Sequence, residues 1–235
     1  QTPEDARHWA DDETRLLEPR TEPDLQEKAR TYLRRCHDAG LEVIGVTDHN
    51  FSGQSDVRKL FLTHLIEQNR TVAEERGVAP IVIFPGFEID IGYHLLCLFE
   101  PLKKGAELSR VNDVLTTLGL APSARFSSGI PAQLRHEAAA VSLRTILNKV
   151  QKEAGGMVIA AHAFTDRGIC NDSANIGDFC LEELLCVEVS DFPLRSKTKS
   201  VLEGNDPHWR RNSRRQPAYV MSSDAKSLRL GDDGI

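Results

Sequence analysis

Four times in this chain a short apolar run ends on side chains able to ligate a metal. Leu41 to Val46 leads into Thr47-Asp48-His49-Asn50, and Ile81 to Phe84 leads into Pro85-Gly86-Phe87-Glu88. Met157 to Ala161 leads into His162, and Ala218 to Met221 into Ser222-Ser223-Asp224. Each run has the length and β-branched content of a buried parallel strand. Each leaves a carboxylate or an imidazole at its C-terminal end. In barrels of alternating strand and helix, loops from separate strands converge at that end. The pattern therefore predicts an α/β chain with a mainly parallel sheet, and a metal site assembled from distant segments.

The stretches between these runs fit the same architecture. Pro23 suits the first turn of a helix that carries Leu25, Ala29, Leu33 and Cys36 at helical spacing and stops at Gly40. Ser55-Asp56 predicts a cap for a second helix running through Arg76 to Gly77. Tyr93 to Phe99 reads as a further strand with His94 near its start. Helices follow near 111–120 and over 142–154, the latter with Leu143, Ile146, Leu147 and Val150 as its stripe. The remaining order is strand 157–161, helix 178–185, strand 186–190, helix 194–203, a basic loop and strand 218–222. Residues 1–21 show no period and predict an irregular opening segment, so the structured domain is expected over residues 22–235.

A chain of 235 residues can bury a sizeable core without disulfides or structural zinc. The five cysteines are odd in number and show no C-x-x-C spacing, which points to reduced thiols and a cytoplasmic protein. No apolar stretch approaches the roughly 18 residues needed to span a bilayer, so no membrane partner is expected. A net charge of −6 argues against a surface coated with nucleic acid, but leaves room for a local basic patch. Trp209-Arg210-Arg211-Asn212-Ser213-Arg214-Arg215 is such a patch. It reads either as a grip on a nucleic-acid backbone or as a solvated loop or interdomain contact. Arg167 likewise reads as a phosphate ligand or as an exposed loop arginine. His8, His37, His64, His136 and His208 lack ligand context and are assigned to surface or packing. With no G-x-x-x-x-G-K-[ST] word in the chain, any ATPase would have to lie outside it.

Asp, Glu and His without cysteine suit Mn, Fe or Zn in a hydrolytic site, where bridged ions activate water and clamp a phosphoryl group. Taken in order, Thr47-Asp48-His49, Gly86-Phe87-Glu88, His94-Leu95-Leu96, Ala161-His162-Ala163 and Ser222-Ser223-Asp224-Ala225 resemble the PHP (polymerase and histidinol phosphatase) superfamily. The resemblance spans about residues 30 to 230. It implies a distorted (β/α)7 barrel, incomplete here at its N-terminus as part of a longer protein, holding two or three divalent ions. It also implies His49, Glu88, His94, His162 and Asp224 as metal ligands, with Asp48 as a ligand or an orienter of its neighbour. The stretch Ser223 to Leu228 looks most like the PHP domain preceding an ATPase in TrlF-like proteins, a group associated with nucleic-acid processing or defence.

Two departures qualify the match. The family's opening His-x-His is absent, which would place two ligands upstream of Gln1. Its closing Asp-x-His stands here as Asp224-Ala225-Lys226, and a protonated lysine cannot ligate a metal. Lys226 would then set an ammonium near a substrate phosphate, stand in for a lost ion, or mark a degenerate site. The expected activity is a metal-dependent phosphoesterase or nuclease working on a nucleic acid or nucleotide with an ATPase domain or partner, in an oligomer or alone. The competing expectation is a degenerate PHP module that docks or regulates such an ATPase.

Overall fold

The computed structural model describes residues 1–5, 9, 14–16, 21–127, 136–190, 192–212, 215–222 and 227–228. Along the chain run α1 (Glu22–Asp38), β1 (Val43–His49), α2 (Phe61–Arg76), β2 (Val82–Asp90), β3 (His94–Leu98), α3 (Ser109–Thr117), α4 (Leu143–Leu147), β4 (Met157–Ala160), α5 (Ile176–Phe179), β5 (Cys186–Glu188), α6 (Ser196–Leu202) and β6 (Ala218–Val220). The fold is α/β. Its six strands lie in the sheet in chain order, with β1 and β6 at the two ends of that order. This is one strand fewer, among the described residues, than the seven-stranded barrel expected from the sequence.

The chain divides into two compact units, described here as far as their residues are placed. The first comprises Gln1–Phe87, Leu98–Glu137 and Ser223–Ile235, and the second Glu88–Cys97 and Ala138–Ser222.

In the first unit α1 begins where Thr21 accepts from Asp24 N at 3.4 Å, with proline in its first turn. Leu25, Ala29, Tyr32, Leu33 and Cys36 are its buried stripe. Tyr32 meets Phe61 of α2 edge-on at 5.9 Å. Helix α2 starts later than Ser55-Asp56 suggested. Asp56 caps only the single turn Val57–Lys59, and Leu60 then breaks the helical backbone at ψ 140°. The buried N-terminus of α2 finds its acceptor in the opening segment, where Glu4 Oε1 receives Phe61 N at 2.9 Å. Asn69 then ties α2 to the residue before β2, bonding Ile81 O at 2.6 Å and Ile81 N at 3.1 Å.

The second unit contains β3 to β6, apart from Leu98, and the end of β2. Residues 91–93 join β2 to β3 as a hairpin, with Ile91 N bonding Tyr93 O at 3.1 Å. Strands β4, β5 and β6 are parallel, in register Ile159↔Cys186↔Ala218. That register carries the ends of all three toward one edge. The helix expected over 142–154 starts at Ser142, whose hydroxyl accepts from Thr145 N, but widens into a π-helical turn over Asn148–Glu153.

The basic loop departs from its nucleic-acid reading at two positions. Trp209 is buried edge-on against Phe179 at 5.4 Å, and Arg211 is 3% exposed. The Arg211 guanidinium donates to Phe179 O at 2.9 and 3.1 Å and to Leu184 O at 2.6 Å. A buried guanidinium satisfied by main-chain carbonyls is part of the core. Arg210 and Arg215 remain exposed, and Arg214 lies outside the described residues. All five cysteines are free thiols.

Candidate metal centre

In the second unit the ends of three strands and the start of a fourth bring ligand-type side chains together. Glu88 and Asp90 sit two apart near the end of β2, so both point to one face of the strand. Both are buried, at 6% and 7% exposure. His94 opens β3 across the hairpin. Its Nδ1 lies 2.6 Å from Glu88 Oε1, and its Nε2 lies 3.7 Å from Asp90 Oδ2. His162 follows β4, with Nε2 3.3 Å from His94 Nδ1 and 4.0 Å from Glu88 Oε1. Glu88 Oε1, His94 Nδ1 and His162 Nε2 thus form a triangle with no side longer than 4.0 Å.

The loop that carries His162 is held tightly. Its backbone has φ +30°, a left-handed conformation that costs a non-glycine residue of order 1–2 kcal/mol. Glu188, at the end of β5, accepts His162 N through Oε2 at 2.7 Å. A hydrogen bond to a carboxylate contributes about 1.5–3 kcal/mol, enough to hold that conformation. Glu188 Oε1 accepts in turn from Ser222 Oγ, just beyond β6. Ala163 N bonds Glu188 O at 2.9 Å, and Cys170 N bonds Ala163 O at 2.8 Å. Arg167, also left-handed at φ +59°, receives His94 N on its carbonyl at 2.9 Å and reaches Asp90 Oδ2 with Nη1 at 3.3 Å.

The electrostatics of this group suit a cation. Burial pulls the pKa of His94 down, but the carboxylates of Asp90 and Glu88 more than reverse this and hold it at about 9. At neutral pH the group therefore keeps a proton, and a positive charge, between two buried carboxylates. A divalent ion bound there would displace that proton, the usual linkage between metal binding and ligand protonation. One carboxylate and two imidazoles form a donor set that suits Zn, Mn or Fe. Nδ1 of His162 is buried and has no hydrogen-bond partner among the described residues, so that ring is only partly satisfied. The residues fit a metal.

The first unit builds a second constellation from β1 and the opening segment. Asp48 is 4% exposed, and its two carboxylate oxygens accept from Thr2 N and Thr2 Oγ1. Burial pushes its pKa up to about 7; nearby Asp5 adds to the rise and the hydrogen bonds from Thr2 oppose it. His49 Nδ1 lies 2.6 Å from Asp5 Oδ2, a pairing that fixes the ring and directs Nε2 away from the carboxylate. His136 stacks on the His49 ring at 4.4 Å and 21°. The left-handed turn at Asn50 (φ +50°) and Phe51 (φ +66°) closes β1. Asn50 Nδ2 anchors that turn to Arg125 O at 2.9 Å and Glu137 O at 2.8 Å.

Of the residues singled out in the sequence, Glu88, His94 and His162 come together in the second unit, while Asp48 and His49 lie together in the first. Asp224 and Lys226 lie outside the described residues. Sequence reasoning missed Asp90 and Glu188, although each is an acidic residue closing an apolar run, the signal that had marked Glu88. It also missed Thr2 and Asp5, and it assigned His136 to surface or packing.

No protein-family model matches this chain, and no curated protein matches it. Among solved structures it is similar to the lesion-specific endonuclease PfuEndoQ from Pyrococcus furiosus, at 13% identity and a TM-score of 0.48, covering 84% of this chain and 43% of that one. It is likewise similar to Endonuclease Q in complex with a 27-mer duplex substrate carrying an abasic lesion, at 13% identity and a TM-score of 0.47, covering 84% of this chain and 44% of that one. The chain spans less than half the length of these two proteins.

Proposed function

We propose that this chain is a metal-dependent phosphoesterase domain of PHP type acting on a nucleic acid or nucleotide. The observation that carries the proposal is the triangle of Glu88 Oε1, His94 Nδ1 and His162 Nε2, with sides of 2.6, 3.3 and 4.0 Å. These three residues were selected from separate ordered motifs by resemblance, and they converge in one compact unit. The resemblance also implies His49 and Asp224 as ligands, Asp48 as a ligand or an orienter of its neighbour, and Lys226 as a cation toward substrate. The same resemblance supports the (β/α)7 barrel, a nucleic-acid substrate and an ATPase partner.

When bound, a divalent ion supplies Lewis-acid polarisation of a phosphoryl group and neutralises the charge that develops on it. The chain's own residues do the holding. Glu88, His94 and His162 present the donor atoms. Asp90 steadies His94 from its other ring nitrogen, and Glu188 fixes the backbone of His162. Arg167, with 60% of its side chain exposed beside Asp90, offers a cation to an incoming phosphate.

The test is hydrolysis of bis(p-nitrophenyl) phosphate with Mn²⁺ or Zn²⁺ by the wild type, Glu88→Ala and His162→Ala, with circular dichroism as the check on folding. Metal-dependent hydrolysis lost in both folded variants is the expected outcome. Undiminished hydrolysis in both refutes the proposal.

A further inference from the structure

Beyond the end of β5 the second unit presents an aromatic ring to solvent. The chain has nine phenylalanines. Eight are buried or half-buried, while Phe192 is 70% exposed. Folding of the second unit leaves this apolar ring in water, where a ligand can still cover it. A lone exposed apolar side chain is ordinary on a protein surface, so the position of this one decides what it means.

That position is beside the metal-site loop. Glu188 ends β5 and accepts His162 N at 2.7 Å. Val189 and Ser190 follow it, and together with Arg195 and Thr198 they share one small cavity with Phe164 and Thr165, the second and third residues after His162. Ser190 and Arg195, on either side of Phe192, thus both lie against the loop that carries His162. Phe192 is two residues from Ser190, a reach of at most about 7 Å. Cationic side chains occur on the same segments. Arg167, five residues after His162, has 60% of its side chain exposed beside Asp90. Lys197 is exposed in the first turn of α6 and lies close enough to Cys170 to act on its thiol, and Cys170 N bonds Ala163 O next to His162. A nucleic-acid strand offers a flat ring and a phosphate at every residue, and an aromatic side chain near cations answers both. Bases within a duplex have their faces covered by their neighbours, whereas an unpaired base has a face to give.

We propose that Phe192 is a stacking platform for an unpaired base of a nucleic-acid strand whose phosphate lies at Glu88, His94 and His162, with Arg167 and Lys197 toward the backbone. The placement of that phosphate rests on the phosphoesterase reading; the stacking on Phe192 does not. A strand with an unpaired base binds in preference to the interior of a duplex, and in preference to a sugar-phosphate chain without bases.

The test is fluorescence anisotropy with the full chain in excess EDTA, which takes the metal out of the measurement. The probes are labelled ten-residue oligothymidylate and a labelled abasic sugar-phosphate chain of the same length and charge. Wild type is expected to bind the oligothymidylate saturably, Phe192→Ala about tenfold more weakly, and Phe192→Trp as well as wild type. The abasic chain is expected to bind wild type and Phe192→Ala alike. In Phe192→Trp the emission gained over wild type, whose Trp9 and Trp209 are buried, should be quenched as the oligothymidylate binds. Phe192 is exposed, so these variants leave the core intact. Absent binding in the wild type overturns the platform, as does a Phe192→Ala titration that matches wild type or an equal loss for the abasic chain. Base-dependent binding that follows Phe192 in a chain without metal-dependent hydrolysis overturns the placement of the phosphate and leaves the platform standing. Hydrolysis in a chain whose strand binding ignores Phe192 overturns the platform alone.

Discussion

A single added methyl group at Gly168 tests how tightly the His162 loop is fitted. Gly168 has φ −87° and ψ 150°, ordinary extended values that any residue adopts, so replacement by alanine meets no backbone penalty of its own. The obstacle is space. A Cβ there would lie 2.4 Å from His162 O, 2.6 Å from Ala163 C and 2.7 Å from Ala163 O. All three are main-chain atoms, so no side-chain rotation relieves the clash. The segment cannot drift freely either, because Gly168 N bonds Thr165 O at 3.0 Å and Cys170 N bonds Ala163 O at 2.8 Å. Overpacking of this kind costs about 1–3 kcal/mol, and a clash with pinned backbone belongs toward the upper end. For a chain of this length that amounts to a fall in Tm of roughly 5–10 °C. The displaced group is the peptide of a proposed ligand, and binding sites tolerate shifts of only about 0.5 Å. Gly168→Ala should therefore also lose much of its affinity for Zn²⁺ or Mn²⁺. Thermal denaturation and a competitive metal titration read the two effects separately. A variant with wild-type Tm and wild-type metal affinity would show that the loop is not constrained as described.

Further consequences follow from other positions. Glu188→Ala removes the acceptor that holds His162 left-handed, and metal affinity should fall about 10–100-fold, the usual cost of losing a ligand's support; unchanged affinity by titration would remove Glu188 from the site. Arg125 is fully buried and donates to Leu120 O, Ser52 O, Asn112 Oδ1, Asn112 O and Thr116 Oγ1. Arg125→Met removes the donor to all of these acceptors and should cost ~3 kcal/mol in urea denaturation. Arg125→Lys should recover little, because one ammonium cannot reproduce the fork; full recovery with lysine would contradict that geometry. Burial pushes the thiols of Cys36 and Cys170 up to about 12 from an ordinary 9.0. Above pH 9 the unfolded chain releases these protons while the folded chain keeps them. The stability they confer is whole below pH 9 and declines as pH rises toward 12, by up to about 1.4 kcal/mol per pH unit per thiol. Cys36→Ala should flatten that alkaline decline, and a decline as steep as wild type would rule Cys36 out as a contributor.

The parts of the fold that were legible in the sequence are those with local signals. Helix α1 announces itself through Pro23, the apolar spacing of Leu25, Ala29, Leu33 and Cys36, and Gly40, which adopts φ +73°. The strands were found by their apolar runs, but β1 and β2 run further than those runs. The polar residues Thr47, Asp48, His49, Glu88 and Asp90 remain in extended backbone because main-chain pairing, not side-chain hydropathy, sets a strand's end. The start of α2 was misplaced because its anion comes from Glu4, 57 positions away, whereas Asp56 offered a plausible local cap. The roles of Thr2 and Asp5 were hidden for the same reason, since their partners Asp48 and His49 are more than forty positions distant. Glu188 and Asp90 carried the same mark as Glu88 and could have been chosen by it. In the basic loop, Trp209 and Arg211 show how a cationic patch with an aromatic can be core, because an arginine fork is satisfied as readily by carbonyls as by phosphates.

Glu88, His94 and His162 are proposed to hold a divalent metal. Inductively coupled plasma mass spectrometry tests this directly, on wild type and on Glu88→Ala, His94→Ala and His162→Ala, each purified without chelator and equilibrated with Mn²⁺, Fe²⁺ or Zn²⁺ before desalting. Stoichiometric transition metal is expected in the wild type, with a marked loss in all three folded variants. Wild-type protein that emerges free of metal, or variants that retain the wild-type complement, would contradict the proposal.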